Sequence, residues 1–455
     1  MLINRKIINT DIVFKSDFQD HYINDFYNCI DKWKWILHER YGARRGQIVT
    51  ISTFEVKFDY VCMVFAVAEL GLKLITLNQP VSFDTIHKTK LALFGPADFA
   101  IVEPQTAQHK HSAHEAMVER YSKKILTSEE IDLIPQNANL NFEHEKPLPD
   151  DILIMTSTSG TTEQSKLVTW SHREVFEWTN RNIKIFNYDK TSRVGHARNM
   201  HHGSSAVCEF FPALMTADFH VNVNTSKATM RFTAHYAEEF KLTHLAFKNV
   251  FDLEDFLNYI KEPFTETLTI SMSGFTVPEY FIELCKQYNI KFISHFGSMD
   301  IAVPLLVNYV DSEYVFRPHY LGVMPDNFYT VNIVKDKTVV NCNLFKTEKL
   351  LGDKLRLEED GFYHEGRLSE DNSILPGIFT LVKSGDNNHL VIWEEGGIEA
   401  SKTITSKEME AFDATHNLKW PNRSLFRLKK RDFTIDTKVD MDQLRAYLDA
   451  KLLNP

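Results

Sequence analysis

The chain has 455 residues, 43% of them hydrophobic, 25% charged and 12% aromatic, enough length and apolar content for a large core; a short disulfide-stapled module or a disordered chain is excluded. Its 61 acidic and 51 basic side chains leave a net charge of -10, which argues against a broad phosphate-tracking surface for DNA or RNA but leaves room for a local basic pocket. The five cysteines, Cys29, Cys62, Cys208, Cys285 and Cys342, form no CxxC pair, so neither a zinc site nor a disulfide framework is expected and a reducing cytoplasm fits.

The start, MLINRKIINTDIVFKSDF, carries charges where a signal peptide has its apolar core, and the most apolar stretch, Val61 to Leu77, is interrupted by Glu69 and Lys73. A soluble, cytoplasmic protein without a nucleic-acid or membrane partner is expected. Two β-rich runs, Ile48 to Ser52 and Leu72 to Leu77, flank an apolar stretch long enough for a helix ending near Gly71, which predicts a βαβ unit. Ser82 to Leu93 reads as a helix and Ala97 to Val102 as a buried strand, continuing the alternation of a parallel sheet with helices on its faces. From Pro104 to Asp150 the chain is mostly polar and reads as a surface excursion.

At Asp151 the pattern sharpens into the apolar strand DILIM, which runs into TSTSGTTEQSK, a loop of eight Ser, Thr and Gly residues closed by Lys166. Such a loop can turn several N–H groups and hydroxyls into one concavity with a cation at its rim, and triphosphate binding is the natural hypothesis. It is not a Walker A loop, because Ser165 stands where a Gly would precede the Lys. Composition alone also allows a plain surface loop. Further βα alternation follows through His220 to Val223, His244 to Phe247, Leu268 to Ser273 and Lys291 to Ser294. Short strands at Tyr329 to Val334 and Thr338 to Cys342, with a turn at Asp360-Gly361, predict a small antiparallel piece. The polar run after Arg367 suggests a boundary, giving a large domain over 1–367 and a small, shortened one over 368–455 that ends in a helix, Met441 to Leu453.

Several of these segments together carry a resemblance. TSGTTEQSK (Thr158 to Lys166) followed by LVTWSH resembles the phosphate loop of the AMP-forming adenylate synthetases, the superfamily of acyl-CoA synthetases, peptide-synthetase adenylation domains and luciferases. It departs from that family's TSGTTGxPKG at Glu163, Ser165 and Leu167. SMSGFTVPEYFIELC places Gly274 where the family has the glycine of a strand turn beside the adenine. HFGSMD (His295 to Asp300) is similar to its aromatic-Gly-x-Thr-Glu motif, with Met299 in the place of the Thr and Asp300 in the place of the Glu. LGDKLRLEEDGFYHEGR (Leu351 to Arg367) resembles TGDLxxxDxDGxxxxxGR, and DTKVDMDQLRAYL places Lys438 on the family's catalytic lysine. The similarity covers nearly the whole chain.

The resemblance implies an α/β fold: a large N-terminal domain of mixed, mostly parallel sheets with helices plus a small antiparallel piece, and a small mobile α+β C-terminal domain. It implies ATP-dependent activation of a small carboxylic acid to an acyl adenylate with release of pyrophosphate. By the same resemblance Thr158, Ser159, Gly160, Thr161, Thr162 and Lys166 would cradle phosphates, and Gly274, His295, Phe296, Gly297, Ser298 and Met299 would line the adenine side, Phe296 stacking on the base. Asp353 would accept the ribose hydroxyls and Arg367 would hold the nucleotide near the hinge. Thr162, Asp300 and Lys438 would be catalytic, with Asp300 carrying Mg²⁺. The acid would meet Arg198, His201, His202, Gly203 and Ser204. His196, His201 and His202, with Cys208 and Glu209 downstream, match no familiar zinc spacing. An Asp to bind an α-amino group is missing from this segment, which favours a non-amino acid. Past Arg367 the family's stretch that forms the pantetheine tunnel is not reproduced, so CoA, a carrier-protein thiol and an amine all stand as acceptors. A relative that binds nucleotide without turnover is the competing reading, motivated by Met299.

Overall fold

The computed structural model describes residues 2–16, 19–53, 57–78, 94–102, 122–157, 167–198, 203–223, 230–247, 250–273, 277, 279–298, 301, 304–334, 337–344, 348–367, 374–375, 379–384, 387–394, 423–429, 434–435 and 438–439. Two large sheets organise these residues. In the six-stranded sheet the order is Ile125–Thr127, Phe99–Val102, Ile48–Thr53, Lys73–Asn78, Ile152–Ser157, Leu167–Ser171; only the last pair is antiparallel. The eight-stranded sheet runs Leu306–Val310, Ile290–Phe296, Leu268–Ser273, His244–Ala246, Arg193–His196, Phe219–Asn222, Val13–Ser16, Gln19–Tyr22. Its inner pairs are parallel and its two edge pairs antiparallel. Buried parallel strands with helices on both faces need apolar side chains on both faces, which is why these strands read as continuous apolar runs.

The expected βαβ unit is present: Ile48–Thr53 and Lys73–Asn78 pair in parallel around the helix Phe58–Glu69. That helix is apolar on nearly every side and buried along almost its whole length, as a helix packed on both faces must be. The helix His172–Ile185 starts at a capping box in which Ser171 Oγ accepts from Glu174 N and Glu174 Oε2 accepts from Ser171 N. The central core joins the helices Ile23–Trp35, Phe58–Glu69, His172–Ile185 and Phe211–Thr216 to both sheets. Along Ile290–Phe296, Ile293 faces this core while Ile290 and Phe292 face a second core with the helices Met230–Glu239, Val250–Leu257 and Tyr280–Tyr288, following the two-residue alternation of a strand.

The antiparallel piece appears as two three-stranded sheets: Tyr320–Gly322, Gly361–Arg367 and Asp353–Glu358 form one, and Thr330–Val334, Lys337–Asn341 and Lys349–Leu350 the other. Further along, Ile374–Leu375, Phe379–Ser384, Asn387–Glu394 and Arg423–Lys429 make a four-stranded sheet, and Thr434–Ile435 pairs with Lys438–Val439. The architecture is thus the expected mixed α/β one, mostly parallel sheets with helices and small antiparallel sheets.

One local expectation is corrected. The excursion from Pro104 to Asp150 holds a sheet strand, Ile125–Thr127, whose single fully buried side chain, Leu126, is too short a signal to read in a polar stretch. LVTWS is a strand returning antiparallel to DILIM, so the Ser/Thr/Gly loop joins two strands. The expected helices at Ser82 to Leu93 and Met441 to Leu453 lie outside the described residues. Among the described residues no helix is long and apolar enough to cross a membrane.

Candidate active site

Phe296 and His295 end the same strand, so alternation sends their side chains to opposite faces. Phe296 packs against the core of the antiparallel piece, formed by Ile301, Leu305, Leu306 and Leu355 among others. Beyond it Leu305 N donates to Phe296 O at 2.7 Å and Ile301 N to Ser298 O at 3.1 Å, which folds the chain back on the sheet. Opposite lies the hairpin of Asp353–Glu358 and Gly361–Arg367, whose register pairs Asp353 with Arg367. Gly361, at φ 136, closes it where a Cβ would meet Gly322 O at 2.6 Å.

A bulge between Lys354 and Leu355 shifts the register by one residue and re-aims His364, whose Nε2 donates to Asp353 Oδ1 at 3.1 Å. The His364 ring lies 6.3 Å from that of Phe296. Ser298 Oγ is buried with no hydrogen-bond partner, which costs about 1–3 kcal/mol unless something else satisfies it. Phe296, Ser298, Asp353 and His364 therefore present an aromatic ring, an unmatched hydroxyl and a braced carboxylate. An ionised carboxylate is acceptor-only and can take two hydroxyl donors such as a ribose diol, and a ring face suits a purine. His364 escaped the sequence reading; its spacing within LGDKLRLEEDGFYHEGR identifies it only once the bulge is known.

Arg198 lies two residues past the strand Arg193–His196, and its Nη1 donates to Glu209 Oε1 at 2.6 Å, the two side chains being only 7% and 9% exposed. Glu209 sits in a π-helical turn, Ala206–Phe210, that follows the short helix Gly203–Ser205, and such turns recur at functional sites. Gly203 and Ser204 are buried at that helix start. Burial pushes the Glu209 carboxyl up to about 7, against the opposing pull of Arg198. Arg198 Nε has no partner. His295 is 1% exposed, neither ring nitrogen is hydrogen-bonded, and its ring stands edge-on to Phe186 at 5.2 Å. Burial and the nearby Arg198 charge push its pKa down to about 3, so the ring is neutral.

His196 belongs to a closed interior pair. His220 Nε2 donates to Ala217 O at 3.0 Å, so its Nδ1 is the acceptor for His196 Nε2 at 2.9 Å, and both rings lie against Phe14. Cys208 is buried, with Asn182 Nδ2 at 3.7 Å from its sulfur, and its thiol is pushed up by burial. Among the described residues no group of three or more His, Cys, Asp or Glu side chains could hold a metal ion.

Thr158, Ser159, Gly160, Thr161, Thr162 and Lys166 lie outside the described residues, as do His201, His202, Gly274, Met299 and Asp300. The residues on either side of the Ser/Thr/Gly loop, Ser157 and Leu167, are cross-strand partners. Gly297 and Ser298 follow Phe296 at half-buried positions. Lys438 starts the strand Lys438–Val439 and pairs with Ile435. Arg198, Glu209 and His295 are brought to one end of the parallel strands, and Phe296, Asp353 and His364 meet beside the antiparallel piece.

Residues 24–251 match the family described as AMP-binding enzyme. Among solved structures, the O-succinylbenzoate coenzyme A synthetase MenE of Bacillus subtilis, in complex with ATP and magnesium ion, has a TM-score of 0.73 at 15% identity, covering 97% of this chain and 98% of that one. ATP-bound MatB of Rhodopseudomonas palustris has a TM-score of 0.74 at 12% identity, covering 98% and 99%. McyG A-PCP complexed with phenylalanyl-adenylate has a TM-score of 0.72 at 13% identity, covering 100% and 96%. At such identities the likeness establishes the shared fold. Among curated proteins none matches the sequence.

Proposed function

The chain belongs to the AMP-binding enzyme family, and from that premise we propose that it activates a carboxylic acid with ATP, forming an acyl adenylate and releasing pyrophosphate. The observation that carries this reading is the convergence of Phe296, Ser298, Asp353 and the unforeseen His364 on one place, at the motifs that resemble the family's nucleotide-binding ones.

In the reaction a carboxylate oxygen attacks the α-phosphorus, a C(O)–O–P bond forms, and the bond to pyrophosphate breaks with the electron pair leaving on pyrophosphate. Nucleophile and phosphate are both anionic, so the barrier is largely electrostatic and is lowered by fixed positive charge and positioning. Asp353, held by His364, takes the ribose hydroxyls, and Phe296 covers the base. The loop from Thr158 to Lys166 takes the β- and γ-phosphates, with Thr162 at the reacting phosphate. Asp300 would hold Mg²⁺, which would supply charge neutralisation on the phosphates. Lys438 reaches the α-phosphate and the acid's carboxylate; a compact ammonium on a flexible stem suits that contact. With a division after Arg367, Lys438 would belong to the small domain.

The acyl group then passes to CoA or another thiol, the sulfur forming a bond to the acyl carbon as the C–O bond to AMP breaks and AMP leaves. A carrier-protein thiol or an amine is the other acceptor, and among the neighbours one is a coenzyme A synthetase and another holds a phenylalanyl-adenylate. Pyrophosphate release from ATP and Mg²⁺, measured over fatty, aryl, hydroxy and amino acids with CoA added or withheld, tests the reading. Lys438→Ala should lose on the order of 10²- to 10³-fold in release while retaining ATP binding. ATP binding without release for any acid would instead support a nucleotide-binding relative without turnover.

A further inference from the structure

Resting on the adenylation reading, we propose that Arg198, Glu209 and His295 form a specificity subsite for an uncharged hydrogen-bonding group, a hydroxyl or a carbonyl, carried by the acid at a distance from its reacting carboxylate. Among the described residues Arg198 Nε and both ring nitrogens of His295 are buried without a hydrogen-bond partner, as are several polar atoms elsewhere, such as both ring nitrogens of His172. Buried polar groups are nearly always paired, so three unmatched ones near one another mark a place where a ligand supplies the missing bonds.

Their position fits a pocket for the acid. Arg198 and His295 sit at the C-terminal ends of parallel strands of one sheet, the edge at which open α/β sheets bind ligands. His295 immediately precedes Phe296 but faces the other way, so the subsite adjoins the nucleotide place without overlapping it. Phe186 packs on His295 edge-on and holds the imidazole in place.

Charge selects the group. Glu209 already occupies Arg198 Nη1 through the 2.6 Å contact, so a second carboxylate on the acid would have to displace it from the same guanidinium. An ammonium would meet Arg198 itself. What remains is one N–H on Arg198 Nε and, on a neutral imidazole, one donor and one acceptor. That set bonds a hydroxyl or a carbonyl and gives nothing to a bare hydrocarbon, and sites of this kind discriminate strongly against the analogue lacking the group.

The test is pyrophosphate exchange into ATP, which reads adenylation without any acceptor, on matched aliphatic and aromatic acids that differ only in a hydrogen, hydroxyl, oxo or second carboxylate group. The hydroxy or oxo member should lead its hydrocarbon partner in kcat/KM by at least about tenfold. His295→Phe should erase that ratio, and His295→Asn, which keeps a donor and an acceptor, should restore part of it. Retained thermal protection by ATP shows that each variant is folded. Exchange that ranks the hydrocarbon or the dicarboxylate first overturns the subsite and leaves adenylation standing. Absence of exchange with every acid overturns the adenylation reading and the subsite with it.

Discussion

At the scale of single residues, chemistry here depends on partners as much as on identity. Asp353 looks like any turn aspartate in the sequence, and its brace by His364 is what makes it a fixed acceptor. A charge-assisted hydrogen bond contributes about 1.5–3 kcal/mol, so Asp353→Ala should raise the KM for ATP about 10- to 100-fold, measured by pyrophosphate exchange. The buried histidines set the acid limit of the fold. His220 and His244 are pushed down to about 4 and His295 to about 3 by burial. In each case the unfolded chain binds the proton first as pH falls, so their stabilisation is complete above about 6.5 and is lost toward 4. Glu209 works in the opposite sense: raised to about 7, it stabilises the fold below the ordinary carboxylate range and loses that contribution as pH rises through 7. Three groups outweigh one between pH 4.5 and 6.5. The melting temperature should therefore fall as pH drops through that window, and Glu209→Gln should make the fall steeper; a flat profile would contradict the buried neutral histidines.

At the scale of elements, a few polar anchors join segments that are far apart in sequence. The Arg5 guanidinium donates to both carboxylate oxygens of Asp31, on the helix Ile23–Trp35, and of Glu69, at the end of the helix Phe58–Glu69, with Lys34 bonded to the same pair. It holds both carboxyls below their ordinary range. Arg5→Met leaves two partly buried carboxylates with one cation and should cost about 3 kcal/mol in denaturant unfolding. Arg181 performs a similar task from the helix His172–Ile185, donating to Pro304 O and Asp326 and lying over the rings of Phe328 and Tyr329. Gly322, at φ 109, lets the strand Tyr320–Gly322 close on Val307, whose carbonyl a Cβ would strike. Gly322→Ala should lower the melting temperature and disturb the hairpin that carries Asp353, so its KM for ATP should rise as well.

At the scale of the whole molecule, the parallel strands deliver Arg198, His295 and Phe296 to one edge while the antiparallel piece supplies Asp353 and His364. A ligand that binds only the folded chain raises its stability, by about 2.7 kcal/mol at a hundredfold excess over Kd. ATP should raise the melting temperature of the wild type and equally that of Lys438→Ala, whereas Asp353→Ala should cut the shift to about half or less at the same concentration. The sequence by itself determined the α/β class, the βαβ unit at 48–78, the strands that carry the motifs and the nucleotide chemistry those motifs resemble. Those features are local: apolar periodicity, a Ser/Thr/Gly loop and residue order are all written within a few tens of residues. Only the tertiary structure decided that His364 braces Asp353, that Glu209 pairs with Arg198 and that His295 faces away from Phe296. A bulge shifts register, a π-helical turn rotates a side chain and strand alternation separates neighbours. These are displacements of a single residue that periodicity is too coarse to register, and they decide which polar atoms meet and which stay unmatched for a ligand.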